Sequence, residues 1–442
     1  MNDARRLLVI TYHFGPDGPV GGLRWFGITK YLTRLGWKAS VITAARSIGT
    51  DAAIDAQVER CPRLGTFLDG LRLLRRLAFR RALGWSPDGS RAAYPSRPPA
   101  LLRRLYWEVA AFWAFPDEGR GWMIRAALRT RSLIRRFRPQ VVVSSGPPHS
   151  AHLVAGMATI GTSVRWLIDL RDPWAGPLPY VWATDPRLGS RVFRTLTPPL
   201  ERLAFGTAHG VITNTYQLAE TLAAKYADMP VVCVPNGVDP ECLPPPARDR
   251  YPGLGIVHAG TLYAGRDLGP VVRALRLFLE RHPEAARAGA KLRIAGEAER
   301  GHARAFYDAV AETGMEQYVE VLGPLPRAQA LNVISRSRLA VVLAQQQELQ
   351  IPAKLYEAVA MGIPTLVVAP VVSATGVEGN RIGAVVRDSD DVEGMACVLE
   401  HLWRTGSRER SPCPVSITYD AIAPLVDRLL TTNLPPSQGS SA

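Results

Sequence analysis

Short apolar runs alternate with stretches of helical periodicity along most of the chain, and this alternation constrains the fold more than any other feature. An apolar run bounded by turn residues and followed by a helix is typical of a βα unit, and successive βα units form a parallel sheet covered by helices. The sequence therefore predicts an α/β fold rather than a β sandwich or a helical bundle. The apolar runs lie at 6–14, 38–44, 139–146, 164–170, 210–214 and 231–237, and again at 254–260, 291–296, 318–323, 338–344, 363–369 and 382–388.

The runs fall into two series, which indicates two Rossmann-like domains. A chain of 442 residues with 47% hydrophobic content is sufficient for two packed cores. The segment 239–253, DPECLPPPARDRYPG, is polar and rich in proline, so it predicts a linker. We expect an N-terminal domain over 1–238, a C-terminal domain over 254–415 and a last helix over 416–432. The remaining residues, 433–442, are too polar and small to pack.

Arginines are concentrated in an insertion at about 60–138, where they alternate with Leu, Phe and Trp. At helical spacing this pattern gives a basic face beside an apolar one, as in a helix that lies on anionic lipid. An amphipathic helix packed on its own core, with a solvated arginine face, gives the same pattern. Both interpretations stay open at this point.

The net charge of +14 requires anionic partners, such as nucleotide phosphate, an acidic membrane surface or nucleic acid. Nucleic acid is disfavoured, because the arginines fall in no recognisable nucleic-acid motif. The first residues lack the apolar region of a signal peptide, and no apolar run is long enough to span a bilayer. We therefore expect a cytoplasmic protein, either free or peripheral on the inner face of the membrane. Its five scattered cysteines lack metal-ligand spacing, so we expect reduced thiols and no metal.

Three loops of the first half carry residues suited to ligand binding. Gly21 and Gly22 lie between the first strand and the first helix, where backbone amides approach phosphates, although a plain tight turn explains them equally. His149 follows a strand at the edge where open α/β sheets bind ligands, and a neutral imidazole there could accept a hydrogen bond from a sugar hydroxyl or cap the helix. Asp172 lies at the end of the next strand within DLRDPW (169–174), where an ion pair could be purely structural. His149 and Asp172 are the candidate catalytic residues.

Two loops of the second half also carry residues suited to ligand binding. Arg266, in HAGTLYAGRD, is placed to reach a diphosphate, and Asp267 beside it is suited to cap the following helix. In PAKLYEAVAMGIP a short helix begins with Lys354 and Glu357. A glutamate there could accept both hydroxyls of a ribose, because two carboxylate oxygens match a diol, or it could be an exposed helix residue.

Taken together, these motifs resemble the family 4 glycosyltransferases in residue type and in order. The resemblance implies the GT-B fold, in which two Rossmann-like domains face each other across a cleft. It implies a nucleotide-diphosphate-sugar donor in the C-terminal domain, an acceptor in the N-terminal domain and a last helix that crosses back. It also implies retaining transfer without an obligatory metal, with the leaving diphosphate stabilised by positive side chains and amides. The motifs are the Gly-Gly loop, SSGPPHS, DLRDPW, PNGVD, HAGTLYAGRD, RIAGE and PAKLYEAVAMGIPTLV.

By position, the resemblance assigns Arg266 to the donor diphosphate, Glu357 to the ribose, His149 to the active-site histidine and Gly22 to the phosphate loop. It implies no identity for the acceptor, for which a cell-surface glycan or a lipid-linked precursor is the expectation, as in polysaccharide biosynthesis.

The sequence departs from the family pattern at two positions. Leu349 stands where a second glutamate is often found, and Thr261 where another basic residue is often found. We hypothesise that Lys354 supplies the missing positive charge at the diphosphate. The departures also leave open a catalytically degenerate nucleotide-sugar-binding scaffold, and the fold leaves open a nucleotide-sugar epimerase.

Overall fold

The computed structural model describes residues 5–16, 20–44, 54–65, 100–175, 189–262, 265–298, 303–406, 411–432 and 434. Within these ranges the chain forms two parallel sheets, of seven and six strands, with helices between successive strands. The predicted α/β class with two Rossmann-like sheets is confirmed.

The strands of the first sheet are almost all buried on both faces, which explains their continuous apolar runs. They are β1 (Arg6–Thr11), β2 (Lys38–Thr43), β3 (Ala56–Arg60), β4 (Val141–Gly146), β5 (Arg165–Leu170), β6 (Val211–Thr213) and β7 (Val231–Cys233). Their order across the sheet is β3-β2-β1-β4-β5-β6-β7.

Six helices lie in the described part of the first half. They are α1 (Leu23–Arg34), α2 (Ala100–Ala114), α3 (Met123–Phe137), α4 (Ser150–Thr159), α5 (Arg191–Thr207) and α6 (Tyr216–Lys225). The helix α1 ends just before Gly36, whose φ of 89° lies in the left-handed region that favours glycine.

The second sheet is built in the same way. Its strands are β8 (Gly255–His258), β9 (Lys291–Ile294), β10 (Val319–Val321), β11 (Leu339–Leu343), β12 (Thr365–Val368) and β13 (Val385–Arg387), in the order β10-β9-β8-β11-β12-β13. Its helices are α7 (Gly269–Arg281), α8 (Pro283–Arg287), α9 (Arg304–Thr313), α10 (Arg327–Arg336), α11 (Ala353–Ala360), α12 (Ala374–Arg381) and α13 (Val392–Thr405).

The strand order reverses direction at one place in each sheet, between β1 and β4 and between β8 and β11. In open parallel sheets, ligands bind beside such a reversal, outside the carboxyl ends of the strands. The loops that carry the candidate residues follow these central strands and their neighbours.

The last helix, α14 (Tyr419–Thr431), packs on α1 of the first half. Gly27 of α1 lies directly under the Tyr419 ring, which leaves no room for a Cβ. The chain just before α14 also pairs with the first half, since Tyr419 N donates to Val238 O over 2.8 Å. The C-terminal helix is therefore part of the N-terminal domain's core.

The segment predicted as a linker begins with a buried residue. Asp239 accepts hydrogen bonds from Lys30 Nζ at 2.7 Å and from Tyr31 Oη at 3.0 Å, both on α1. Its first residues are therefore held on the N-terminal domain, and a short 3-10 turn follows at Pro240–Cys242.

The arginine-rich insertion is described only in part, because residues 66–99 lie outside the described ranges. Within it, α3 buries Ala126, Ala127, Thr130, Leu133 and Ile134 and packs on α4. Its apolar stripe thus covers the protein's own core, and its arginine face is exposed. Among the described helices, none combines the length and the apolar character that crossing a bilayer requires.

Candidate functional site

A cavity of about 490 Å³ lies in the cleft between the two domains, at the carboxyl ends of both sets of strands. Four of the predicted site residues line it: Gly21, Asp172, Arg266 and Glu357. The other three, Gly22, His149 and Lys354, are each next in sequence to a lining residue but do not themselves line it. Further lining residues that enter the argument below are Arg171, Asn214, Arg327, Gln347 and Gln350.

The glycine pair makes room for neighbouring groups. A Cβ on Gly21 would lie 3.0 Å from Nη1 of Arg171, and a Cβ on Gly22 would lie 3.1 Å from the backbone nitrogen of Phe14. Close packing against these neighbours therefore explains why both positions are glycine in this structure. The phosphate role of Gly21 and Gly22 stays a prediction.

The first aspartate of DLRDPW is structural. Asp169 is fully buried, and its Oδ1 accepts from Arg24 Nε at 3.0 Å while its Oδ2 accepts from Ser145 Oγ at 2.7 Å. Arg24 also donates to Asn236 Oδ1 and to the carbonyl of Val234. This buried ion pair ties β5, α1 and the PNGVD loop together at the base of the cleft, so for Asp169 the structural alternative is correct.

Asp172 faces the other domain. Its Oδ1 accepts a hydrogen bond of 2.6 Å from Nε2 of Gln350. Burial raises the pKa of Asp172, while Arg171, Gln350 and Arg266 oppose the rise. A carboxyl group from the first domain thus lies within electrostatic range of the predicted diphosphate arginine of the second.

The position where a second glutamate is often found serves as a contact between the domains. Leu349 packs against the apolar core of the N-terminal domain, and its carbonyl accepts from Thr215 Oγ1 at 2.8 Å. Together with the bond between Gln350 and Asp172, this contact holds the loop after β11 against the first domain.

His149 occupies the N-cap position of α4, yet its side chain makes no capping hydrogen bond. The first amide of the helix, on Ser150, instead donates to Asp117 Oδ2 at 2.7 Å. The capping alternative for the His149 side chain is therefore wrong. The imidazole stacks on Trp174, with ring centroids 5.1 Å apart and planes inclined by 15°, and burial lowers its pKa well below the usual range.

The loop that carries Arg266 is fixed by glutamines. Gln345 accepts from the backbone nitrogen of Asp267 and donates to its carbonyl, while Arg266 Nη2 donates to Gln347 Oε1 at 3.3 Å. Asp267 also accepts from the amide of Gly269, the first residue of α7, at 2.8 Å. These bonds hold the Arg266 side chain at the cavity wall.

Glu357 is buried, so the interpretation as an exposed helix residue is wrong. Its Oε1 accepts from both Nε and Nη2 of Arg327, at 3.2 and 2.7 Å. Within the described part of the chain, its Oε2 has no hydrogen-bond partner. One carboxylate oxygen is thus fixed by the arginine, and the other is available at the cavity. Sequence reasoning missed Arg327, which lies in none of the motifs and reaches Glu357 only through the fold.

Lys354 is half-buried and forms no ion pair or hydrogen bond with any residue that the structure describes. Burial lowers the pKa of Lys354, and Arg266 and Arg327 lower it further, while Glu357 opposes them. Arg327 thus pairs with Glu357, and Lys354 lies within electrostatic range of Glu357, Arg327 and Arg266. This wall of the cleft carries positive side chains suited to an anionic ligand.

The sequence matches two family models that together span the cleft. The model described as Glycosyltransferase Family 4 matches residues 85–242, and the model described as Glycosyl transferases group 1 matches residues 259–405. The chain is a glycosyltransferase, and its first half matches family 4. The first match includes His149 and Asp172 of this enzyme, and the second includes Arg266, Lys354 and Glu357.

Solved structures show the same two-domain GT-B fold at low sequence identity. A glycosyltransferase from Rickettsia africae matches with a TM-score of 0.53 and 12% identity, covering 98% of this chain and 95% of that one. A sucrose-phosphate synthase from Thermosynechococcus elongatus matches with a TM-score of 0.57 and 13% identity, covering 97% of this chain and 98% of that one. A putative UDP-N-acetylglucosamine 2-epimerase from Listeria monocytogenes matches with a TM-score of 0.51 and 13% identity, covering 97% of this chain and 98% of that one. No curated protein matches the sequence.

Proposed function

We propose that this glycosyltransferase transfers a sugar, with retention of configuration, from a nucleotide-diphosphate-sugar to an acceptor at an anionic membrane surface. The observation that carries the proposal is the wall of the cleft on which Arg327 pairs with the buried carboxylate of Glu357, while Lys354 lies within electrostatic range of both and of Arg266. A diphosphate joined to a ribose supplies the matching groups, because it presents negative oxygens next to a diol.

The donor is held on the wall of the C-terminal domain. Arg266 and Lys354 bind the diphosphate, assisted by the first amides of α11, where the helix dipole favours negative charge. These groups are in place before the reaction, so they stabilise the charge that develops on the leaving diphosphate. No metal is required in this scheme.

The ribose is held by the free oxygen of Glu357. Arg327 occupies Oε1 and fixes the plane of the carboxylate, and Oε2 retains the lone pairs that accept the ribose hydroxyls. This arrangement differs from the expectation that both oxygens bind the diol, because one of them already binds an arginine.

The acceptor lies on the wall of the N-terminal domain. Asp172 lines that wall, and so does Asn214, whose buried Oδ1 has no hydrogen-bond partner among the residues that the structure describes. Both side chains are suited to bind the hydroxyls of a sugar or of another polar acceptor.

Retention is tested on the products. The enzyme is incubated with UDP-, GDP- and ADP-sugars of known anomeric configuration, and the anomeric configuration of the glycoside formed, which does not mutarotate, is determined by proton NMR. We expect the product anomer to match the donor anomer. The opposite anomer would contradict retention, and release of an epimerised sugar without any acceptor would support the epimerase alternative.

The membrane part of the proposal rests on the exposed face of α3. Ile124 and Leu128 are 64% and 67% exposed, one helical turn apart. Arg125, Arg129 and Arg135 lie on the same side and have no acidic partner among the described residues. Exposed apolar side chains among unpaired arginines are typical of a helix face that inserts shallowly into anionic lipid.

Sedimentation with phosphatidylglycerol vesicles at low salt tests this surface. Since each basic residue near an anionic surface contributes about 1 kcal/mol, replacing Arg125 and Arg129 by Gln lowers vesicle affinity roughly 30-fold. The matched control is Arg304→Gln in the second domain, an arginine that is 85% exposed and pairs with Asp308. A wild-type protein that does not sediment, or a double variant that sediments like the control, would contradict the membrane proposal.

A further inference from the structure

A chain of buried hydrogen-bonding side chains lies behind His149. Nε1 of Trp166 donates to Oγ of Ser144 over 2.9 Å, and the same Oγ lies 2.9 Å from Nδ1 of His152. Ser144, Trp166 and His152 are each fully buried. They belong to β4, β5 and α4, so the chain is formed by the core beneath the cleft.

The chemistry of these groups fixes the protons along the chain. An indole N–H can only donate, so Ser144 Oγ accepts from Trp166. The Ser144 hydroxyl has no other acceptor in the described structure, and buried donors in folded proteins are almost always paired. The hydroxyl therefore donates to Nδ1 of His152, and the proton of this neutral imidazole is on Nε2.

Two buried ring nitrogens then remain without partners, Nε2 of His152 and Nδ1 of His149. Both face the same point beside Gly146, since a Cβ on that glycine would lie 2.6 Å from Nε2 of His152 and 3.1 Å from Nδ1 of His149. The two ring centroids are 5.7 Å apart. His152 presents a donor there. The carbonyl of Pro148, 3.2 Å from the same point, already accepts from the amide of Ala151, and Nδ1 of His149 can accept only if the proton of that ring is on Nε2.

We propose that His152 sets the tautomer of His149, either by donating from Nε2 to Nδ1 of His149 when the two rings approach, or through one water that accepts from Nε2 of His152 and donates to Nδ1 of His149. The proton of His149 is then on Nε2. This nitrogen is not among the buried unpartnered atoms and has no hydrogen bond in the described structure, so it is on the solvent side of the ring. His149 does not itself line the cavity but follows Pro148, which does, so the proposal places this hydrogen-bond donor at the edge of the cleft.

This conclusion reverses the expectation that the His149 imidazole accepts a hydrogen bond from a sugar hydroxyl. His149 instead donates to an oxygen of the ligand, either a sugar hydroxyl oxygen or a phosphate oxygen. Burial lowers the pKa of His152 to about 3 and that of His149 well below its usual range, so both rings are neutral near pH 7. The nature of the ligand rests on the proposed function, whereas the tautomer does not. His152 is a positioning residue, since it acts through His149.

The test is ring-nitrogen NMR of the full-length protein labelled with 15N-histidine, without substrate. We expect both His149 and His152 to be protonated on Nε2, with Nδ1 of His149 shifted as a hydrogen-bonded acceptor. In His152→Phe the His149 Nδ1 resonance moves to the position of a free imidazole nitrogen, and some Nδ1–H tautomer is present. In His152→Gln, which restores an N–H near the same place, the wild-type His149 spectrum returns.

Two results would overturn the proposal. One is a wild-type His149 protonated on Nδ1, which needs no variant and does not depend on any variant folding. The other is an unchanged His149 spectrum in a folded His152→Phe protein. If the tautomers are as expected but no nucleotide-sugar perturbs the His149 Nε2–H resonance, the proposed donor role fails while the positioning role of His152 stands.

Discussion

Lys354 offers a test in which stability and binding change in opposite directions. Its ammonium group is partly removed from water, lies near two arginines and has no acidic partner in the described structure, so the charged form is disfavoured in the free enzyme. A lysine with a lowered folded pKa binds its proton more weakly in the folded state than in the unfolded one. Its charge therefore costs stability at pH 7, and the cost disappears as the pH rises through the folded pKa towards 10.5.

The substitution Lys354→Met removes this cost and keeps the apolar stem, so we expect a higher melting temperature for the free enzyme. The same change removes one charge-assisted contact to the donor diphosphate, worth about 1.5–3 kcal/mol, and weakens nucleoside diphosphate binding roughly ten- to a hundredfold.

Calorimetric titration with the nucleotide that binds the wild type measures the affinity, and thermal unfolding measures the stability. The matched control is Lys38→Met, an exposed lysine at the start of β2, at the opposite edge of the sheet from the cleft. It should change neither quantity. Unchanged donor affinity in Lys354→Met would refute the assignment of Lys354 to the diphosphate.

Three further predictions concern the scaffold of the site. Arg24→Met leaves the buried Asp169 charge without its partner and should lower the free energy of unfolding by about 3–5 kcal/mol in urea titrations; a loss below about 1 kcal/mol would be inconsistent with the buried ion pair. Gln350→Ala removes the hydrogen bond to Asp172 between the domains and should open the cleft, so the radius of gyration from small-angle scattering should increase. An unchanged radius of gyration would show that this hydrogen bond does not hold the domains together. Burial lowers the pKa of both His152 and His258 to about 3, so below pH 6.5 the unfolded state binds more protons. Between pH 6.5 and about 3, stability should fall by about 1.4 kcal/mol per pH unit for each of these two histidines, and the double substitution to Gln should remove their part of the slope while that of His149 remains.

The fold was predictable because its physical cause is local. Strands buried on both faces require unbroken apolar runs, and the runs predicted from sequence coincide with strands of both sheets, within a few residues at their ends. The exception is β3, with the sequence AQVER, which lies at the edge of the first sheet. An edge strand is buried on fewer sides, so it tolerates charged residues and lacks the apolar run that identifies a central strand.

The site was predictable only where a motif carries its residues. Arg266 and Glu357 lie in motifs, and the structure brings both to the cavity. Arg327 lies in no motif, and its contact with Glu357 depends on the packing of α10 against α11. The role of His152 depends on two strands that place Ser144 and Trp166 beside it. Contacts of this kind join residues that are far apart in the sequence, so they become visible only in the folded structure.

The most direct test of the account is a thermal-shift measurement with UDP, GDP and ADP on wild-type enzyme, Arg266→Ala, Glu357→Ala and the exposed control Arg304→Ala. A ligand that binds only the folded state raises the melting temperature by mass action. The account predicts that one nucleotide stabilises the wild type and the control, and that both cleft variants lose this shift. No shift with any nucleotide in folded wild-type protein, or an equal shift in the cleft variants, would contradict it.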